Sequence, residues 1–249
     1  FWHFNLYKFF MASKARLFYS EELKSGIISK LSKTQSHYIK NVMRLKQGDK
    51  ISLFNSSNGE WDASILVHGK DLTEFKVEKL SRPQEEENNL WLAFSPIKKN
   101  PQDMMLQKTT ELGIQKFVPL LCERSVVREI NIERAEKIAT EASEQSNRIS
   151  VPKILKIENL ENFLKNFPEN GHLVFCDINS KSSNLKNILS SKNPICILIG
   201  PEGDFSEKER QLIADHKKTI AISLAKNILR AETAAIAATT ILSHHLSFK

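Results

Sequence analysis

The order of apolar and polar positions divides the chain at a polar run, SRPQEEENN at 81–89. Pro83 and the consecutive solvated charges predict a linker there. Before it, short runs rich in β-branched and aromatic residues cover Arg16–Tyr19, Ile27–Leu31, Lys50–Phe54, Glu60–Val67 and Phe75–Leu80. Turn-formers such as SNG at 57–59 separate several of them, and a short helix is expected around Gln35–Met43. This half, residues 11–82, reads as a small β-barrel. After the linker, five short apolar runs (Leu90–Phe94, Phe117–Leu121, His172–Cys176, Ile195–Ile199 and Thr219–Ser223) alternate with helical stretches at about 101–112, 132–146, 158–166, 182–189 and 206–216. Such alternation predicts a parallel sheet covered by helices, an α/β domain over residues 90–249. Asn100 followed by Pro101 marks one helix start, Gly113 its end, and Ser206 with Glu209 has the spacing of a capping box.

The first ten residues, FWHFNLYKFF, do not fit a signal peptide, because no basic segment precedes the apolar stretch and Asn5 and Lys8 interrupt it. Met11 reads as a start, with residues 1–10 an upstream extension. No run is long and apolar enough to span a membrane. Cys122, Cys176 and Cys196 lie far apart, with no pairing or metal-ligand spacing, and read as buried thiols in a reducing, cytoplasmic setting. No bound metal is expected.

Charge adds a partner class. The 249 residues carry a net charge of +7 with a pI near 9.2, which favours an acidic partner such as nucleic acid. In the first half, His37, Arg44 and Lys46 are candidates for phosphate contacts, although a solvated charged face explains any one of them as well.

The common phosphate motifs are absent: neither a P-loop nor a GxGxxG after the first strand of the α/β half occurs. Two other segments stand where ligands bind in open α/β sheets, at strand ends. The first, IGPEGDFS at 199–206, carries Gly200 and Gly203 out of an apolar strand into a capped helix. By itself it reads more readily as a plain strand-to-helix turn than as a ligand loop. The second, SLAKNILRAETA at 223–234, passes through a short loop into an alanine-rich helix. Arg230 at that helix start opposes the helix dipole, so a compensating ligand or carboxylate is expected beside it.

Together these segments resemble the SPOUT superfamily of trefoil-knot enzymes and, within it, the family that methylates N3 of a uridine in small-subunit (16S) ribosomal RNA. LQKTTELGI at 106–114, ERS at 123–125 and EQSNR at 144–148 support the resemblance, and HYIKNVMRLKQGD at 37–49 is similar to that family's PUA-like RNA-binding module. The resemblance covers nearly all of Met11–Lys249. It implies that S-adenosylmethionine is held in the knot by backbone groups of two loops, with Ile199, Gly200, Glu202, Gly203, Ser223, Leu224, Asn227, Ile228 and Leu229 as cofactor-binding positions. Arg230 is implied to hold the uracil oxygens or a flanking phosphate as negative charge develops. Glu232 is implied either to orient Arg230 or to act as base, while an ordinary first-turn helix charge explains it equally. His37, Arg44, Lys98, Lys108, Arg124 and Arg148 are the RNA-contact candidates. A homodimer and a small-ribosomal-subunit partner follow from the same resemblance. Where the family has glycine, this chain has Ala225, a change that matters only if the backbone there needs a positive φ. A SPOUT enzyme acting on another RNA, and a non-catalytic RNA-binding assembly protein, stay open as alternatives.

Overall fold

The computed structural model describes residues 15–180 and 193–247, so the expected helix at 182–189 and the extension at 1–10 lie outside the described residues. The chain forms two compact units. One comprises the described residues up to Glu85 together with Asn147–Ser150, and the other comprises Glu86–Ser146 and the described residues from Val151 onward.

The first unit is a five-stranded sheet. Its elements are β1 (Arg16–Phe18), β2 (Ile28–Lys30), α1 (Lys33–His37), β3 (Lys50–Asn55), β4 (Gly59–His68) and β5 (Thr73–Arg82), in strand order β1-β3-β4-β5-β2. Strands β3, β4 and β5 form antiparallel pairs, and β1 joins β3 in parallel. The edge strands are brought together without a backbone ladder: Tyr19 Oη and Ser29 Oγ lie 2.6 Å apart, so the sheet curls on itself. Leu17, Leu31, Ile39, Ile51, Leu53, Phe75 and Val77 fill its interior. The β3–β4 turn is shaped by Asn55, whose Oδ1 accepts from the amides of Ser57 and Asn58. Gly59 closes it at φ +81°, where a Cβ would come within 2.4 Å of the Arg82 carbonyl oxygen. The expected helix at Gln35–Met43 begins earlier, at Lys33, behind a Ser32/Gln35 capping box, and continues as a π-helical turn over Tyr38–Val42. Strand β5 likewise takes in Ser81 and Arg82, shortening the expected linker.

A buried charge cluster sits in this unit. Glu60, 9% exposed, accepts from Ser52 and pairs with Arg16 at 3.2 Å and Arg82 at 3.7 Å. Arg16 also lies over the Phe54 ring, 3.7 Å from its centre. The arginines reach onward to main-chain oxygens, Arg16 to that of Arg148 and Arg82 to that of Asn147.

The second unit is an all-parallel sheet of β6 (Leu90–Phe94), β7 (Lys116–Leu121), β8 (Lys153–Ile154), β10 (His172–Cys176), β11 (Ile195–Ile199) and β12 (Thr219–Ile222), in order β12-β10-β11-β6-β7-β8. A further short strand, β9 (Glu158–Asn159), pairs with β7. Its helices are α2 (Lys99–Glu111), α3 (Ile132–Gln145), α4 (Leu160–Lys165), α5 (Glu207–Asp215) and α6 (Ala231–Ser247). Strand β11 is buried throughout because both faces are covered. Its side chains alternate: Ile195, Ile197 and Ile199 join the layer of Met105, Leu106, Ala235, Ala238 and Leu242 from α2 and α6. Cys196 and Leu198 face the opposite layer, with Phe163 of α4 and Ile213 of α5. Alanines at 235 and 238, fully buried, let α6 lie close against α2 and β11. The structure therefore has the expected parallel α/β unit and a smaller β unit. Helix α2 starts at Lys99, capped by Lys98 without a side-chain bond, so Pro101 is its third residue and Asn100 is not the cap.

Candidate active site

Strand β11 lies between β10 and β6, so successive strands run to opposite sides of it. Loops at the carboxyl ends of strands at such a reversal diverge and leave a crevice. Here a cavity of about 720 Å³ opens, bounded by the loop after β11, the loop between β12 and α6, the residues just past β10, and the start of α2. Ile199, Gly200, Glu202, Ser223, Leu224, Asn227, Ile228, Leu229, Arg230 and Glu232 all line it, as does Lys98. Gly203 stands behind the wall, where its carbonyl accepts from Arg124 Nη1 at 3.3 Å.

The loop after β11 is fixed from several sides. At Gly200 a Cβ would lie 2.7 Å from the Phe205 ring, so only glycine lets Phe205, 2% exposed, close under the loop. The Asp204 amide turns back to the Pro201 carbonyl at 2.9 Å. Ser206 caps α5, and Glu209 completes the predicted capping box. Glu209 does more than cap: while Oε2 accepts from the Ser206 amide at 2.9 Å, Oε1 accepts from the Glu123 amide at 2.8 Å. The ERS stretch is thereby stitched to the loop, and Ser125 holds its own base by accepting from the Cys122 amide and meeting Ser95 at 2.7 Å.

The second loop delivers the charged residues. Arg230 directly precedes α6, its carbonyl accepting from the Ala234 amide at 2.8 Å. Its side chain is exposed, and among the described residues no carboxylate pairs with it, so the compensating partner expected from the dipole argument is not supplied there. Glu232, in the first turn of α6, is 8% exposed and likewise has no ion-pair or hydrogen-bond partner among the described residues. The two do not form an ion pair. Ile228 projects from the loop at 85% exposure. Ala225 carries no strain, because the non-glycine residues of positive φ among those described are Arg44, Asn147 and Asp204.

Part of this wall carries no motif in the sequence. Cys176, Asp177, Ile178 and Arg210 also line the cavity. They come from the end of β10 and from α5, in no shared motif. Burial pushes the Cys176 thiol up to about 12, which makes it a poor nucleophile.

Comparison with known proteins decides the family. Residues 84–243 match the model of an RNA methyltransferase domain, and residues 31–78 match that of an RNA methyltransferase PUA domain. The chain belongs to the RNA methyltransferase family. It is 38% identical over 205 residues to ribosomal RNA small subunit methyltransferase E of Rickettsia conorii, covering 81% of this chain and 83% of the relative. Among solved structures, it is similar to a ribosomal RNA small subunit methyltransferase E from Neisseria gonorrhoeae bound to S-adenosyl methionine. That match has a TM-score of 0.85 and 29% identity, covering 93% of this chain and 97% of the other. A Legionella pneumophila protein solved in complex with the bound cofactor SAM superposes with a TM-score of 0.84 at 27% identity, over 94% and 98% of the two chains.

The remaining basic candidates of this RNA methyltransferase are differently situated. In the first unit, His37 lines a shallow concavity of about 270 Å³ with Lys33, Lys40 and Lys70, and Arg44 is exposed in a left-handed conformation. In the second unit, Lys98 and Arg124 are exposed, whereas Lys108 is engaged with Glu111 at 3.0 Å. Arg148 is buried at 9% exposure, and its Nη2 donates to Ser150 Oγ, so its guanidinium serves the packing of the first unit.

Proposed function

We propose that this chain transfers a methyl group from S-adenosylmethionine to N3 of a uridine in 16S ribosomal RNA. The observation that carries the reading is the convergence of the 199–202 and 223–229 loops on one cavity, whose lining holds an arginine and a carboxylate that are unpaired among the described residues. The cavity volume is within the usual range for sites holding a ligand of this size. Gly200, tight against Phe205, keeps a bare backbone at the wall, and the apolar Leu224 and Leu229 offer surface for an adenine. S-adenosylmethionine supplies an electrophilic methyl on a sulfonium. The chain's residues supply position and charge.

Uracil N3 carries a proton at neutral pH, and methylation there requires its loss. Glu232 is buried and has no partner among the described residues, so its carboxylate is a group in the cavity free to accept that proton. Arg230, a permanent cation uncommitted among the described residues, stabilises the negative charge spread onto the flanking uracil oxygens. The absence of an Arg230–Glu232 ion pair favours these separate roles over one in which Glu232 orients Arg230. Lys98 and Arg124 in the second unit, and His37 and Arg44 in the first, serve as phosphate contacts. A homodimer is part of the same reading and rests on the family resemblance.

Incubation with labelled S-adenosylmethionine and undermethylated small ribosomal subunits, followed by nucleoside analysis, tests the reading. It predicts 3-methyluridine. A different methylated nucleoside would overturn the target base while keeping the reaction class.

A further inference from the structure

Arg210 belongs to none of the sequence motifs, yet it joins three elements at the cavity wall. From α5, its Nη1 donates to Asp177 Oδ1, just past β10, at 2.9 Å, and its Nη2 donates to Asp204 in the loop after β11. The guanidinium carbon lies 5.9 Å from the centre of the Phe175 ring. The side chains of Arg210 and Asp177 are 17% and 14% exposed. Burial opposes the charge on Arg210, but its hydrogen bonds to Asp204 and Asp177 outweigh that and raise its pKa.

Asp204 itself takes φ +62°, a left-handed conformation that disfavours residues bearing a Cβ. Glycine would adopt it freely. Two contacts offset the penalty: Oδ1 accepts from the Phe205 amide at 2.8 Å, and Oδ2 accepts from Arg210. An aspartate here therefore gives up conformational ease in exchange for a handle by which the loop is gripped. Remove the arginine, and two carboxylates facing each other across the wall are left without their shared cation.

We propose that Arg210 is a positioning residue for the cofactor loop, latching Asp204 to Asp177 so that the 200–203 backbone stays in the shape that receives the methyl donor. The proposal rests on reading the cavity as the S-adenosylmethionine site. Arg210 takes no part in the chemical step. Its effect appears in donor affinity and in the ordering of the loop before any ligand arrives.

The test has two readouts on the full-length protein. Calorimetric titration with S-adenosylmethionine and S-adenosylhomocysteine compares Arg210→Met in the wild-type and in the Asp204→Gly backgrounds. Amide hydrogen exchange over residues 200–206 is followed without ligand. The expected result is an affinity loss of about tenfold for Arg210→Met in the wild-type background, shrinking to about twofold where Asp204 is already glycine. Exchange of the loop amides quickens in Arg210→Met, Arg210→Lys recovers part of both effects, and turnover shows the loss in KM for the donor rather than in kcat. Equal losses in the two backgrounds, or unchanged loop exchange in a folded Arg210→Met, would overturn the latch. If Arg210→Met does not fold, Arg210→Lys decides by the same two readouts. Failure of the wild-type protein to bind either ligand would instead sink the cofactor reading, and loop exchange would still judge the latch.

Discussion

Glu209 Oε1 accepts a hydrogen bond from the backbone N–H of Glu123 at 2.8 Å, joining residues 86 positions apart in the chain. The same carboxylate holds the Ser206 amide through its other oxygen, and the residue is 5% exposed. One side chain thus fixes the start of α5 and the loop after β7 together. Glu209→Ala leaves both amides without that acceptor, the Ser206 amide in a buried setting and the Glu123 amide in a partly buried one. A loss of about 2–4 kcal/mol in unfolding free energy is expected, at about 1–3 kcal/mol for each unsatisfied buried group. Denaturant titration measures it, and a loss under about 0.5 kcal/mol, typical of an ordinary surface position, would contradict the double role.

Arg230 and Glu232 separate stability from chemistry. Arg230 is exposed and unpartnered among the described residues, so Arg230→Ala is expected to leave the melting temperature unchanged. Turnover should drop by about a hundred- to a thousandfold, the usual effect of removing one charge-stabilising donor. Glu232→Gln, nearly isosteric, should also lose turnover while retaining cofactor affinity. Single-turnover methylation assays beside calorimetry distinguish the cases, and an active Arg230→Ala enzyme would refute its assignment.

The Glu60 cluster makes a prediction confined to the first unit. Glu60→Gln keeps the shape and removes the charge that compensates Arg16 and Arg82. Breaking a buried pair by neutralising one partner costs about 3–5 kcal/mol. Faster amide exchange in β3, β4 and β5, with β10 and β11 unchanged, is the expected outcome. Uniform acceleration in both units would mean that the cluster does not act locally.

Acid sensitivity follows from two histidines. Burial, reinforced by the charge of Lys218, holds the imidazoles of His216 and His172 below the usual histidine value of 6.5. The unfolded chain therefore binds more protons than the native one below that pH. These groups favour the fold above about 6.5, and that contribution disappears as the pH falls through their lowered native values. The urea midpoint should fall between pH 7.5 and pH 5.5, and fall less in His216→Gln. Parallel curves for the two proteins would assign the acid sensitivity to other groups.

Much of this was legible in the sequence. The runs Leu90–Phe94 and Ile195–Ile199 have the bounds expected, because a strand covered on both faces must be apolar without interruption. The capping box at Ser206 and Glu209 was readable because it is a local contract between residues three apart. What is not legible there depends on chain segments meeting from afar. The two-residue strands β8 and β9 carry no periodicity of their own and exist through their pairing with β7. Asp177 and Arg210 have no pattern linking them until α5 crosses the end of β10. Arg148 reads from the sequence as an RNA contact because nothing in EQSNR reveals that Asn147–Ser150 belong to the first unit.

The place of β11 at the middle of the parallel sheet also sets the order in which the molecule is made. Strand β6 leaves the ribosome about one hundred residues before β11, its neighbour on one side. At roughly 5–20 residues per second, that edge of β6 stays open for about 5–20 s of synthesis. Pairing across so long an intervening segment is intrinsically slow. The second unit therefore closes its core only after its C-terminal part has emerged, and a chain stopped short of residue 195 lacks the strand on which both layers of helices are built.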